Sequence, residues 1–231
     1  MEIIHLTERN HGAVVERAAS LLRRGGVVAV PTDTVYGLAA DVFRDTAVRK
    51  VFRIKKRSHT KALPVFIRGV QAAKTYAYVD AKLERLLAKL WPGQTTVVLR
   101  KRDAMPDLIT GGTPKVGLRV PDHPFLSELL AIYPNPLTAT SANISGSEPA
   151  VSGVDVQNTF RGRIPMPDLL VDGGPPPSPS QFSGTKSWEG KSPSSTVFEL
   201  TDPKNPKVLR MGAITKEKLD EFLKQWEKKP L

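Results

Sequence analysis

Residues 28–38 read VAVPTDTVYGL, a short apolar run that ends at a proline and gives way to hydroxyls, an acid and a glycine. With Val27 in front, the run VVAVP is a short buried strand, because it leaves no polar position for a solvent-facing side. Thr32, Asp33 and Thr34 follow at the strand's end, where α/β sheets project side chains into a crevice. Two hydroxyls flanking a carboxylate suit recognition of a small polar ligand. The plainer alternative is that Thr32 and Asp33 cap a turn.

Upstream, Val14, Val15, Ala18, Leu21 and Leu22 recur at helical spacing between Ala13 and Arg24, and Gly25-Gly26 supply a stop. Downstream, a helix with Asp45 as N-cap places Ala47, Val48, Val51 and Phe52 on one face. LPVFI (63–67) reads as a strand, Lys82 to Trp91 as an amphipathic helix ended by Pro92-Gly93, and TTVVLRK as a returning strand. VGLRVP, LTATSA and DLLVDGG are further strands, with a helix from Pro124 to Tyr133 among them. Residues 173–195 are rich in Pro, Ser and Gly without apolar periodicity and read as a loop, either a mobile lid or a plainly disordered segment. TVFEL and KVLRM follow as strands, and Thr215 to Lys228 as a last helix with Leu219, Phe222, Leu223 and Trp226 inward. Alternating helices and strands indicate an α/β or mixed α+β layer fold. The 231 residues suffice for one sizeable core, read as a single domain over 1–231 with no second C-terminal domain.

Cysteine is absent, which excludes disulfides, thiolate zinc sites and cysteine nucleophiles. His5, His11, His59 and His123 are scattered without a helical metal-binding spacing. The formal charge of +11 attracts polyanions, nucleotides and RNA among them, although a solvated basic surface has the same composition. No apolar run approaches the ~18 residues of a membrane helix. MEIIHLTERN lacks the basic-then-apolar pattern of a secretory signal, so a cytoplasmic protein is expected.

Three further segments can carry chemistry. IKKRSHTK (54–61) concentrates Lys55, Lys56, Arg57 and Lys61; in an extended stretch Lys55 and Arg57 share a face and reach one triphosphate, whereas a solvated charge run is the alternative. The chain has no Walker-type loop. TATSANISG (138–146) dissolves from a strand into small polar residues that could nest phosphate oxygens, or simply form a strand-to-turn junction. Arg119 stands inside the apolar strand GLRVP and requires an anion, either a structural carboxylate or a substrate. SSTVF puts Ser195 at a strand start, and VLRMGA puts Arg210 shortly before a glycine.

In their order and spacing these segments, with WPGQTTVVL and VDGG, resemble the YrdC family of threonylcarbamoyl-AMP synthases across nearly the whole chain. The resemblance implies a twisted mixed sheet with helices around a large open basic cavity. It implies a nucleotidyltransferase that forms threonylcarbamoyl-AMP and pyrophosphate from ATP, L-threonine and bicarbonate, upstream of tRNA modification. By residue matching, Lys55, Arg57, Lys61, Ser141, Asn143 and Arg210 would bind ATP, with Lys55 and Arg57 catalytic. Thr34, Arg119, Ala139 and Ser195 would bind threonine, Arg119 clamping its carboxylate. Mg²⁺ would be carried by the ATP phosphates near Ser141 and Asn143 rather than by dedicated protein ligands. A tRNA or a tRNA-modifying complex would act downstream, and no membrane is involved. Lys56 departs from a common glycine, Ala62-Leu63-Pro64 reorders the usual P-L, and Phe66 stands where some members have histidine. Two rival readings are a non-catalytic binder of double-stranded RNA or tRNA, and a carbamoyl-transfer enzyme of the same fold. The first lacks an aromatic stacking cluster here, and the second the zinc-type cysteines.

Overall fold

A computed structural model describes residues 1–175, 194–202, 205–214, 221–222 and 224. In chain order the elements begin β1 (Glu2–His5), α1 (His11–Arg23), β2 (Val28–Val30), β3 (Gly37–Ala39), α2 (Asp45–Lys55) and β4 (Val65–Phe66). They continue α3 (Val70–Tyr76), α4 (Ala81–Leu90), β5 (Thr95–Arg100), α5 (Asp107–Thr110), β6 (Lys115–Arg119) and α6 (Pro124–Ile132). The last are β7 (Leu137–Thr138), β8 (Thr140–Ser141), α7 (Gly153–Phe160), β9 (Leu169–Asp172), β10 (Thr196–Glu199) and β11 (Lys207–Arg210).

The strands form two mixed sheets, a five-stranded one in the order β1-β9-β2-β3-β8 and a six-stranded one in the order β11-β10-β5-β6-β4-β7. β2 lies between β9, to which it runs parallel, and β3, to which it runs antiparallel. Its side chains alternate between two cores, which is why the run carries no polar residue. Ala29 joins the cluster containing Val48, Val51 and Phe52 of α2 and Leu83 and Leu87 of α4. Val28 and Val30 join Val15, Ala18 and Leu22 of α1 and Phe125, Leu126 and Leu129 of α6. The mixed α/β class expected from the alternating elements is therefore the one observed.

Two details correct the sequence reading. Arg44, not Asp45, occupies the N-cap of α2; Asp45 is the first helical residue and makes its contribution as an acid in the first turn, near the helix's positive end. LTATSA is not one strand: β7 pairs with β4 in the six-stranded sheet and β8 with β3 in the five-stranded sheet, so the chain changes sheets at Ala139. Thr138 secures the crossing by donating its hydroxyl to Leu38 O at 2.7 Å and accepting from Ala40 N–H at 3.0 Å. An apolar-polar alternation is the same on either sheet, so the switch leaves no trace in the sequence pattern.

Most of the 173–195 loop (176–193) and most of the last helix lie outside the described residues. Phe222 is described; it is buried and its ring lies 5.5 Å from that of Phe198, as the inward face requires. Among the described residues no helix is long and apolar enough to cross a membrane.

Candidate active site

A cleft of about 270 Å³ opens to solvent where the two sheets meet. Lys55, Arg57 and Lys61 reach it from the end of α2 and the segment behind it, and Arg119 from the end of β6. Thr34 reaches it from the turn after β2, while Ala139, Ser141 and Asn143 come from the crossing between sheets. Ser195 precedes β10 and Arg210 ends β11. The ten residues that the family resemblance assigns to ATP or threonine thus line one cleft, although they come from segments scattered between residues 34 and 210, whereas Asp33 and Lys56 are not part of its lining.

Arg119 is buried at 5% exposure and has found a structural carboxylate. Its Nη2 donates to Asp33 Oδ1 at 2.7 Å, its Nη1 to Thr34 Oγ1 at 3.1 Å and its Nε to Gly93 O at 3.2 Å. A guanidinium has five N–H donors, so these three bonds leave two, one on each terminal nitrogen. The Phe66 ring lies 5.8 Å from the guanidinium carbon and forms the wall behind it. Burial pulls the Arg119 pKa down, and Asp33 opposes that pull. The turn is held from its other side as well, because Gln94 Nε2 donates to Asp33 O at 2.7 Å.

Lys55 departs from expectation. The IKKRSHTK run is not extended at this point: Lys55 is the last residue of α2, and Lys56 turns the chain through a left-handed conformation with φ 49°. That is the conformation a helix C-terminus commonly assigns to glycine, which accounts for the glycine that Lys56 replaces. Lys55 is 2% exposed and not an open surface cation. Its Nζ donates to Ser141 O at 2.5 Å, Asn143 Oδ1 at 2.7 Å and Asn143 O at 3.0 Å, which occupies all three ammonium hydrogens. Burial, and after it the charge of Arg57, push the Lys55 amine down to about 7. A local charge run reads as surface in a sequence; what buries this lysine is the distant 141–147 segment, which Ser141 and Asn143 organise internally. Ser141 Oγ donates to Asn143 Oδ1 at 2.7 Å, and Asn143 Nδ2 donates to Ser147 O at 2.5 Å.

The remaining cations are less committed. Arg57 is half-buried and donates to Ala62 O at 2.9 Å and Lys61 O at 3.3 Å, while Lys61 is exposed. Arg210 donates to Ser195 O at 2.7 Å and Ser195 Oγ at 3.2 Å, and Ser195 Oγ lies 3.0 Å from Thr96 Oγ1. Burial, and after it the charge of Arg119, lower the pKa of Arg210. No aspartate or glutamate is among the described residues lining the cleft. Cations that repel one another around such a space favour an anionic ligand.

Gln94 and Thr96 were not singled out in the sequence. Threonine is an ordinary strand residue and gave no signal of its own, and Gln94 acts through its contact with Asp33. Among the described residues no cluster of His, Asp or Glu could hold a metal ion. Asn143 Oδ1 already accepts from an ammonium and a hydroxyl, which makes it a poor place for a second cation, whereas Ser141 Oγ keeps its lone pairs.

Comparison with known proteins matches residues 20–212 to the Sua5/YciO/YrdC family, described as "Telomere recombination". A threonylcarbamoyl-AMP synthase of Pyrococcus abyssi is 32% identical over 222 residues, which are 96% of this chain and 60% of that protein. One of Bos taurus is 36% identical over 210 residues, covering 89% of this chain and 68% of that protein. A crystal structure of P. abyssi Sua5 complexed with L-threonine superposes with a TM-score of 0.83 at 32% identity, covering 96% of this chain and 61% of that one. The chain thus spans about 60% of the length of the archaeal relative.

Proposed function

Because this chain belongs to the Sua5/YciO/YrdC family, we propose that its cleft joins L-threonine, bicarbonate and ATP into threonylcarbamoyl-AMP and pyrophosphate. The observation that carries this reading is the convergence of Arg119 and Thr34 with Lys55, Arg57, Lys61 and Arg210 around one space that no described carboxylate lines. The relatives named above support it, one of them crystallised with L-threonine.

The threonine amine and bicarbonate give a carbamate and water. A carbamate oxygen then attacks the α-phosphorus of ATP, the new P–O bond forms as the bond to the β-phosphate oxygen breaks, and pyrophosphate leaves. An anion attacking a polyanion is opposed by charge, so positioning and cationic screening supply the catalysis. The two free N–H groups of Arg119 would take the threonine carboxylate, and the Thr34 hydroxyl stands beside them. Arg57, Lys61 and Arg210 would meet the phosphates, with Lys55 behind them holding the 141–143 carbonyls away from the nucleotide. Ala139 and Ser195 would bound the space for the threonine side chain. Mg²⁺ would enter on the ATP phosphates and neutralise their charge, with Ser141 Oγ the protein oxygen suited to touch it. Supply of the product to a tRNA-modifying partner in the cytoplasm belongs to the same reading.

The test is pyrophosphate release from ATP and magnesium with threonine or bicarbonate omitted in turn. Release that depends on both supports the reading. Release indifferent to both contradicts it, and no release accompanied by tight binding of duplex RNA would favour the non-catalytic alternative.

A further inference from the structure

The Arg119 guanidinium belongs to a closed circuit of hydrogen bonds that joins three separate segments of the chain. Its Nη2 donates to Asp33 Oδ1 at 2.7 Å, and its Nε donates to Gly93 O at 3.2 Å. Gln94, the residue after Gly93, completes the circuit by donating from Nε2 to the main-chain oxygen of Asp33 at 2.7 Å. Asp33 is therefore gripped at both ends, by Arg119 at its carboxylate and by Gln94 at its carbonyl. Segments that each hold the other two form a braced triangle; opening one link leaves a hinge.

The 93–96 segment is itself firmly placed by contacts that do not involve the Gln94 side chain. Gly93 N–H donates to Val120 O at 2.9 Å, just beyond the end of β6, and Gln94 O accepts from Thr196 N–H at 3.0 Å, at the start of β10. Thr96 Oγ1 lies 3.0 Å from Ser195 Oγ. In this set of contacts it is the Gln94 side chain that ties the segment to the turn carrying Asp33 and Thr34. Gln94 is half-buried and is not part of the cleft lining, so it acts on the cleft from behind.

We propose that Gln94 is a positioning residue for the amino-acid side of the cleft, its amide bracing the turn after β2 so that Thr34 and Arg119 keep the spacing a carboxylate and its neighbouring side chain require. The proposal rests on the reading of Arg119 and Thr34 as threonine ligands. Without the amide, the turn can tilt about its remaining links to Arg119, and the guanidinium follows the Asp33 carboxylate. A misplacement of this kind is costly where geometry supplies the catalysis. The phosphate side depends on other contacts, Lys55 with Ser141 and Asn143 and Arg57 with Ala62, in which Gln94 has no part.

The test uses Gln94→Met, which keeps the length of the side chain and removes the donor, and Gln94→Glu, which sets a carboxylate against the Asp33 carbonyl. Threonine affinity and ATP affinity are measured separately by calorimetry at neutral pH. The expected result is threonine affinity about fivefold weaker in Gln94→Met and weaker still in Gln94→Glu, with ATP affinity within about twofold of the unaltered protein in both. In the unaltered, ligand-free protein the Gln94 side-chain amide hydrogens should exchange slowly with solvent, and Gln94→Met should shift the main-chain amide resonance of Thr34. Threonine affinity unchanged in Gln94→Met would show that the contact positions nothing. Unfolding of that variant, or a parallel loss of ATP affinity, would make the contact a general structural one and equally overturn the proposal. If the unaltered protein fails to bind threonine, the functional reading falls, and the amide exchange and the Thr34 resonance still decide whether Gln94 braces the turn.

Discussion

Lys55 Nζ lies 2.7 Å from Asn143 Oδ1, so the end of α2 is fastened to the segment in which the chain has just changed sheets. Lys55→Met removes a donor shared by three oxygens, including the carbonyls of Ser141 and Asn143. The variant should lose about 1–3 kcal/mol of stability in denaturant titrations and also bind ATP more weakly. A loss of ATP binding at full stability would show that Lys55 faces the phosphates instead.

The amine's depressed pKa gives a pH signature. Polyphosphate charge in the cleft that Lys55 lines favours its charged form even without direct contact, so ATP binding takes up a proton above pH 7, where the free protein has begun to lose it, and affinity falls as pH rises. Calorimetry in buffers of different ionisation enthalpy should detect this uptake, and Lys55→Met should abolish it. For stability the sign is opposite. Between about 7 and 10.5 the unfolded chain binds this proton more tightly than the folded one, so this group's contribution to stability grows with pH through that window.

Lys56 holds φ 49° at the end of α2 without being glycine. Lys56→Gly should raise the unfolding free energy by about 0.5–1 kcal/mol, the relief of left-handed strain exceeding the entropy glycine adds to the unfolded chain. Its melting temperature measures this directly; a decrease would mean that the Lys56 side chain contributes contacts that outweigh the strain.

Arg119 serves Asp33, Thr34 and Gly93 at once, a planar fork that lysine cannot reproduce. Arg119→Lys should raise the KM for threonine about tenfold or more, with the KM for ATP changed less than about twofold. Equal effects on both substrates would indicate that the arginine orders the whole cleft and is not specific to the carboxylate.

The legible parts of the molecule were those written locally. β2 showed itself because both its faces are buried, and α1 and α4 because their apolar stripes match the helical period. Several site residues stood out as polar groups at strand ends or as a charge run, Ala139 entered only through the family resemblance, and the ten residues which that resemblance assigns to ATP or threonine all line the cleft. Pairings over long separations stayed hidden: Arg119 with Asp33, Lys55 with Asn143 and Ser195 with Thr96 each join segments more than eighty residues apart. The two-residue strands β4, β7 and β8 are too short for any period to distinguish one sheet from another.

The most direct test of the account is the identity of the product formed from threonine, ATP, magnesium and bicarbonate labelled with heavy carbon. The cleft as described should yield an AMP adduct that contains threonine and one labelled carbon, together with pyrophosphate. An unlabelled threonine–AMP adduct would mean that the amino acid's own carboxylate attacks the α-phosphorus, and would contradict both the carbamate chemistry and the assignment of that carboxylate to Arg119.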